Sequence, residues 1–249
     1  MSGFGTALST EWSKFWRARV VQLATAALVL AIPLMDFAFI TAGDKYTAKL
    51  GPAFAEGGWV ALFAGSSQIT ATAGVIGGGV LLAWFVGREF VQGTIVGLFA
   101  LPIARSTIML AKLALYLIWV VTVSVGLPLV VLAIGALLGF GAVDPALALK
   151  QFAVMLLSGL IAVPAAWIAT LTRGYIGAIG AMGALVVVAT IGAVSGIGGW
   201  LPPAAPGLWA ASPLSNPDLT TLLQLALVIP FAFAFGALAL RSWHRLQTS

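Results

Sequence analysis

The chain has 249 residues, 61% hydrophobic and 8% charged, with mean hydropathy +1.10 and a net charge of +5. Soluble domains run about 45–50% apolar and about 25% charged, so a water-soluble enzyme, a disordered chain and a coiled coil are excluded. The absence of Cys removes disulfides, thiolate metal sites and cysteine nucleophiles, and a lone His244 near the end argues against a Ser–His dyad or a histidine metal site.

Residues 4–19 place Phe4, Leu8, Trp12, Phe15 and Trp16 on one helical face, with Ser9, Ser13, Lys14 and Arg17 mostly elsewhere. This predicts an N-terminal amphipathic helix over 1–19 that lies in the membrane interface, as an anchor or as a mechanical part. A bilayer span needs about 20 mainly apolar residues. Six stretches qualify, at about 20–42, 59–86, 107–137, 146–171, 175–198 and 219–241. The first run follows Lys14, Arg17 and Arg19 like a signal peptide, but it is too long and lacks a small-x-small cleavage site, so an uncleaved anchor is expected. The predicted fold is a single all-α transmembrane domain over 1–249.

Within and between the spans several features stand out. Asp36 falls near the outer end of the first span and reads as an interface carboxylate, with an intramembrane functional acid as the alternative. Ser66, Ser67, Gln68, Thr70 and Thr72 make the outer half of the second span polar, either lining a cavity or bonding to neighbouring helices. The segment 87–106 is too broken by glycine to span and too apolar to be an idle linker. It predicts a short helix at the inner face. Asp144-Pro145 reads as an N-cap with Pro at the first helical position, and Asn216-Pro217-Asp218 repeats that pattern. Pro33, Pro128, Pro164 and Pro230 lie inside spans and are expected to kink them. Gly174, Gly177, Gly180 and Gly183 form a small-residue ridge, and Gly74/Gly78, Gly135/Gly139 and Gly192/Gly196 form further pairs, for packing within the chain or between subunits. The proline-rich 199–218 stretch reads as an outer cap with Trp200 and Trp209 at the interface.

With the N-terminus inside, nine of the twelve basic residues are cytoplasmic (Lys14, Arg17, Arg19, Arg88, Arg105, Lys112, Arg173, Arg241, Arg245), and only Lys45, Lys49 and Lys150 are outside. The asymmetry places both termini in the cytoplasm, which six spans permit. Charge spread this way forms no nucleic-acid patch.

Between spans two and three the ordered set Arg88-Glu89, Gly93-Thr94, Leu101-Pro102, Arg105 and Lys112 resembles the "E…GT…LL..P..R…K" stretch of ABC-2 type transporter permeases. The layout is similar as well: an amphipathic helix, six spans, this stretch after the second, and a re-entrant-like segment before the last. The resemblance implies a bacterial half-transporter of the inner (plasma) membrane, like the antibiotic- or peptide-export permeases, exporting a drug, peptide antibiotic or lipid-like substrate. It implies pairing with a second permease, as a homodimer or related heterodimer, and a cytoplasmic ABC ATPase in two copies. The chain has no G-x-x-x-x-G-K-[ST] loop, so it is no ATPase itself and binds no cofactor directly; ATP and Mg belong to the partner. The segment after span two becomes the coupling helix, with Arg88, Glu89, Phe90, Gly93, Thr94, Leu98, Phe99, Pro102 and Arg105 at the ATPase and Arg173 and Tyr175 nearby. Glu89 finds few cations within the chain and is expected to pair with Arg88 or with the partner.

Two other readings compete. An ion-coupled secondary transporter buries ionisable groups near the bilayer midplane, and none is evident in the sequence. A non-transporting membrane subunit fits the composition equally.

Overall fold

The structure, a computed structural model, describes residues 3–41, 56–95, 97, 103–213 and 217–246. It is 84% helical and, among the described residues, contains no strand. Six helices are long and apolar enough to cross a membrane. We number the elements α1 (Gly3–Trp16), α2 (Arg19–Thr41), α3 (Gly58–Val91), α4 (Arg105–Leu137), α5 (Pro145–Ile161), α6 (Pro164–Leu171), α7 (Ile176–Val194), α8 (Ala205–Ala211), α9 (Leu219–Ala226) and α10 (Val228–Arg245). The fourth span is α5 with α6, and the sixth is α9 with α10.

Local chemistry sets these boundaries. Ala18 is extended (φ −74°, ψ 126°), which separates α1 from the first span. Asp144 caps α5 by accepting from the Ala146 amide at 2.9 Å, with Pro145 at the first helical position. The cap of α9 is Asp218 itself, accepting from the Thr221 amide at 2.8 Å; Pro217 stands before the helix rather than inside it. Hydrogen bonds from Thr221 hold the Asp218 carboxyl below the usual carboxylate range. Asn216 lies outside the described residues.

The prolines act in different ways. Pro33 follows a π-helical stretch, Ala27–Ala31, which widens the helix where the proline ring would otherwise meet a carbonyl. Pro164 divides α5 from α6, and Pro230 follows the break at Leu227. Pro128 sits inside α4, which runs on unbroken.

One end of the bundle, here the basal end, gathers α1, the end of α3, the start of α4, the α6–α7 loop and the end of α10. Phe15 packs on Phe85, and Phe90 on Trp243. At the distal end Trp59 of α3 packs on Phe140 and donates to the Gly141 carbonyl at 2.9 Å. There α8 fits Ala205, Pro206 and Ala210 into the bundle, held by Lys150 Nζ donating to the Ser212 carbonyl at 2.7 Å. The outward faces are apolar, with Leu129, Leu137, Val187, Ile191, Val194 and Phe233 exposed, as a lipid-solvated bundle requires.

Close helix crossings rest on glycine. A Cβ on Gly74 would stand 2.9 Å from Ser158 Cβ, and one on Gly78 2.5 Å from the Tyr116 hydroxyl, so α3 closes on α5 at Gly74 and on α4 at Gly78. Gly87 faces backbone instead: its Cβ would lie 2.6 Å from the Tyr175 amide nitrogen and 2.7 Å from the Gly174 carbonyl carbon. Gly180 and Gly183, by contrast, face open space, with nothing within 4 Å of an added Cβ among the described residues. We therefore expect Gly87→Ala to destabilise the protein by about 1–3 kcal/mol, because the obstacle is backbone. Gly180→Ala should leave the monomer unchanged or slightly more stable, since alanine favours helix by about 1 kcal/mol. Thermal unfolding in detergent compares the two.

Candidate functional site

Helix α3 does not stop at residue 86. It runs to Val91 and ends on Gly93, whose φ of +67° supplies the left-handed terminating residue while its amide reaches the Phe90 carbonyl. Arg88, Glu89 and Phe90 therefore belong to the last turn of a spanning helix. The turn points Glu89 at Lys112, near the start of α4.

Lys112 is fully buried. Its Nζ donates to Glu11 Oε2 at 2.6 Å, to Glu89 Oε1 at 3.0 Å and to the Phe85 carbonyl at 3.4 Å. An ammonium has three protons, and each has an acceptor here. Its two carboxylate partners are also buried, with Glu11 2% and Glu89 4% exposed. The knot continues outward. Thr94 donates to Glu89 Oε2, Arg88 stands 3.6 Å from Glu89 and 3.8 Å from Glu11, and Lys14 stands 3.4 Å from Glu11. The Arg88 guanidinium covers the Trp84 ring at 4.5 Å, and Lys112 lies 4.3 Å from the Phe85 ring centre. Three helices, α1, α3 and α4, are thus tied through one buried cation.

The other residues singled out in the sequence fall around this knot. Gly93 and Thr94 form an exposed turn, and Phe90 turns inward against Trp243. Arg105 donates from Nη1 to the Leu246 carbonyl, which ties the start of α4 to the last described residue of the chain. Tyr175 and its loop abut Gly87, and Arg173 takes a left-handed φ of +49° on that loop. Leu98, Phe99 and Pro102 lie outside the described residues, as do Lys45 and Lys49.

Glu11 was not foreseen. A signal for it exists: Ala7, Glu11 and Phe15, at steps of four, are the buried face of α1, so an acid sits in the middle of an apolar stripe. Trp12, given to that stripe by the sequence, is 45% exposed. Lys112 was visible as a motif residue, but its partner 101 positions away was not. Glu89 pairs with Lys112 as well as with Arg88.

At the distal end the polar residues of α3 divide. Gln151 donates from Nε2 to Ser66 at 2.7 Å and to Thr70 at 3.3 Å, and accepts from Ser67 at 3.3 Å. Those three hydroxyls serve helix pairing through Gln151, which the sequence reading passed over. Thr72 is exposed and lines a cavity of about 210 Å³ bounded by Ala71, Val75, Leu185, Ala189 and Leu208. Gln68 is half-buried and lies in neither group. Asp36 is buried, 1% exposed, with Oδ2 unpartnered, rather than lying at an open interface.

The six-span bundle has its N-terminal helix tied, through Lys112, to the last turn of its second span. The chain belongs to the ABC-2 family of transporter proteins, whose family model matches residues 7–192. That match runs from the buried face of α1 through most of α7 and includes the whole ionic knot. A search of curated proteins gave no match.

Removing Lys112 leaves two carboxylates buried without a cation. Lys112→Met should cost about 3–5 kcal/mol of stability. Lys14→Met removes a half-exposed cation from the rim of the same knot and should cost at most about 1 kcal/mol. Melting of the two purified variants measures the difference.

Proposed function

We propose that this permease is one half of an exporter whose energy comes from a separate cytoplasmic ATPase. The basal end faces the cytoplasm, and the ATPase docks where the chain leaves α3, with the Arg173–Tyr175 loop beside it. The observation that carries this reading is the Lys112 knot. It lies directly behind the exposed 92–94 turn and joins that turn to α1 and to α4. A push on the turn is therefore delivered to three helices rather than lost in a loop. Two copies of the ATPase serve two permeases, and ATP and Mg stay on the partner.

The second permease packs against α7. Gly180, Gly183 and Val187 there are exposed, the two glycines meet nothing among the described residues, and small residues let helices approach closely in lipid. The substrate is hydrophobic or amphipathic. The distal cavity, apolar except for Thr72 and Thr190, supports that class. An ion-coupled carrier is less well supported, because three of the four buried acidic and basic side chains among the described residues, Glu11, Glu89 and Lys112, cluster at the basal end.

The docking reading is tested at residues that do not hold the fold. Reversal of Glu89 would put a second ammonium against Lys112 and so reports on folding rather than docking. Val91→Asp is the better probe, because Val91 is 58% exposed at the same basal turn, with Leu149→Ala at the distal end as control. Val91→Asp should weaken capture of the co-expressed ATPase at least about tenfold, about 1.4 kcal/mol, with an unchanged melting temperature. Leu149→Ala should change neither. Cysteines placed singly at residues 95 and 149 of this Cys-free chain should be labelled from inside and outside respectively; labelling of position 95 from outside alone overturns the orientation.

A further inference from the structure

We propose that the basal cleft between α1 and the end of α3 binds the phosphate of an anionic phospholipid from the adjoining leaflet. The cleft has a volume of about 370 Å³ and is lined by Lys14, Arg88, Glu89, Gln92, Thr94 and Gly97. The charges of the knot do not cancel. Lys14, Arg88 and Lys112 face only Glu11 and Glu89, so the group carries one net positive charge. That excess is where the cleft opens, because Lys112 is sealed by its three acceptors.

Arg88 has a donor to spare. Its Nη2 is buried and makes no hydrogen bond, and its nearest carboxylate oxygen, Glu11 Oε2, stands at 3.8 Å. The aromatic rings of Trp84 and Phe85 beneath the guanidinium offer no acceptor in its plane. A guanidinium fork matches two oxygens of a phosphate, and a singly charged phosphodiester neutralises the excess. The Gln92 side chain, exposed on the cleft wall, adds an amide donor.

The position of the cleft selects lipid as the source. Its outer wall is α1, which bears an exposed Trp12 and is followed by exposed Arg17 and Arg19, so aromatic and basic groups stand together at headgroup depth. A phosphate held there bridges Lys14 of α1 to Arg88 of α3 at the edge of the bundle. This site requires the membrane placement of α1, and its Gln92 and Thr94 wall is shared with the turn proposed to meet the ATPase, so lipid binding is measured on the permease alone.

Native mass spectrometry of the purified, delipidated full chain tests it, with dioleoylphosphatidylglycerol and dioleoylphosphatidylcholine as probes. One phosphatidylglycerol should bind at about a tenfold lower concentration than phosphatidylcholine. Arg88→Gln should abolish that preference. Lys14→Gln, at a half-exposed position that does not hold the fold, should reduce it at least threefold, and it keeps the test valid if the Arg88 variant fails to fold. Equal binding of the two lipids by the native chain, or an undiminished preference in Lys14→Gln, overturns the proposal. So does displacement of the lipid by an equal concentration of inorganic phosphate, which would make this a site for free anions. Carbodiimide coupling of Lys14 to a carboxylate of a co-purified protein, without lipid preference, would assign the cleft to a protein partner and also overturn it.

Discussion

The structure depends on one ammonium group kept out of water and out of lipid. Bilayer hydrocarbon offers a lysine no acceptor, so a cation at Lys112 must find three inside the protein. It finds them on α1, on the last turn of α3 and on the α3 backbone. Each acceptor fixes an element. Glu11 docks the amphipathic helix against the bundle. Glu89 obliges α3 to continue past Gly87. The Phe85 carbonyl sets the depth at which α4 lies beside α3.

Helix α3 then carries that constraint through the membrane. Its basal turn holds Glu89, its middle crosses α5 at Gly74 and meets Tyr116 of α4 at Gly78, and its distal hydroxyls share Gln151. The contacts differ in kind at each level: ionic at the base, van der Waals in the middle, neutral hydrogen bonds at the far end. A helix fixed at both ends moves as a rod. The places able to bend lie elsewhere, at the π-helical stretch of α2, at Pro164 between α5 and α6, and at Leu227 before α10. A motion that begins at the basal turn therefore has a stiff element to travel along and softer neighbours to displace.

Much of this was legible in the sequence because lipid makes the code simple. Six apolar runs, aspartates ahead of helices and the ordered residues from Arg88 to Lys112 need only local reading. The N-cap Asp144 succeeded for that reason. Asn216-Pro217 misled because two polar residues compete for one cap, and the geometry favours Asp218. The ends of α3 and the face of α1 were read by hydropathy, which treats a charge as a boundary. A buried charge breaks that rule, and its partner lay too far along the chain for spacing to suggest. Gln151 escaped for a related reason: a single amide in an apolar span carries no pattern, and its significance lies in three hydroxyls on another helix. The glycine ridge divided in a way no sequence rule supplies, with Gly87 and Gly74 pressed against neighbours and Gly180 and Gly183 facing outward.

The central claim is that the Lys112 knot makes α1, the end of α3 and the start of α4 one mechanical body. Spin labels at Trp12 and Leu110, both well exposed on the outer surfaces of α1 and α4, measure it directly by pulsed electron resonance. In the proposed assembly of two permeases with an ATPase, the 12–110 distance within one permease should stay the same between nucleotide-free and ATP-trapped states, while the distance between the two copies of residue 12 changes. A shift in the 12–110 distance as large as the change between subunits would contradict the account.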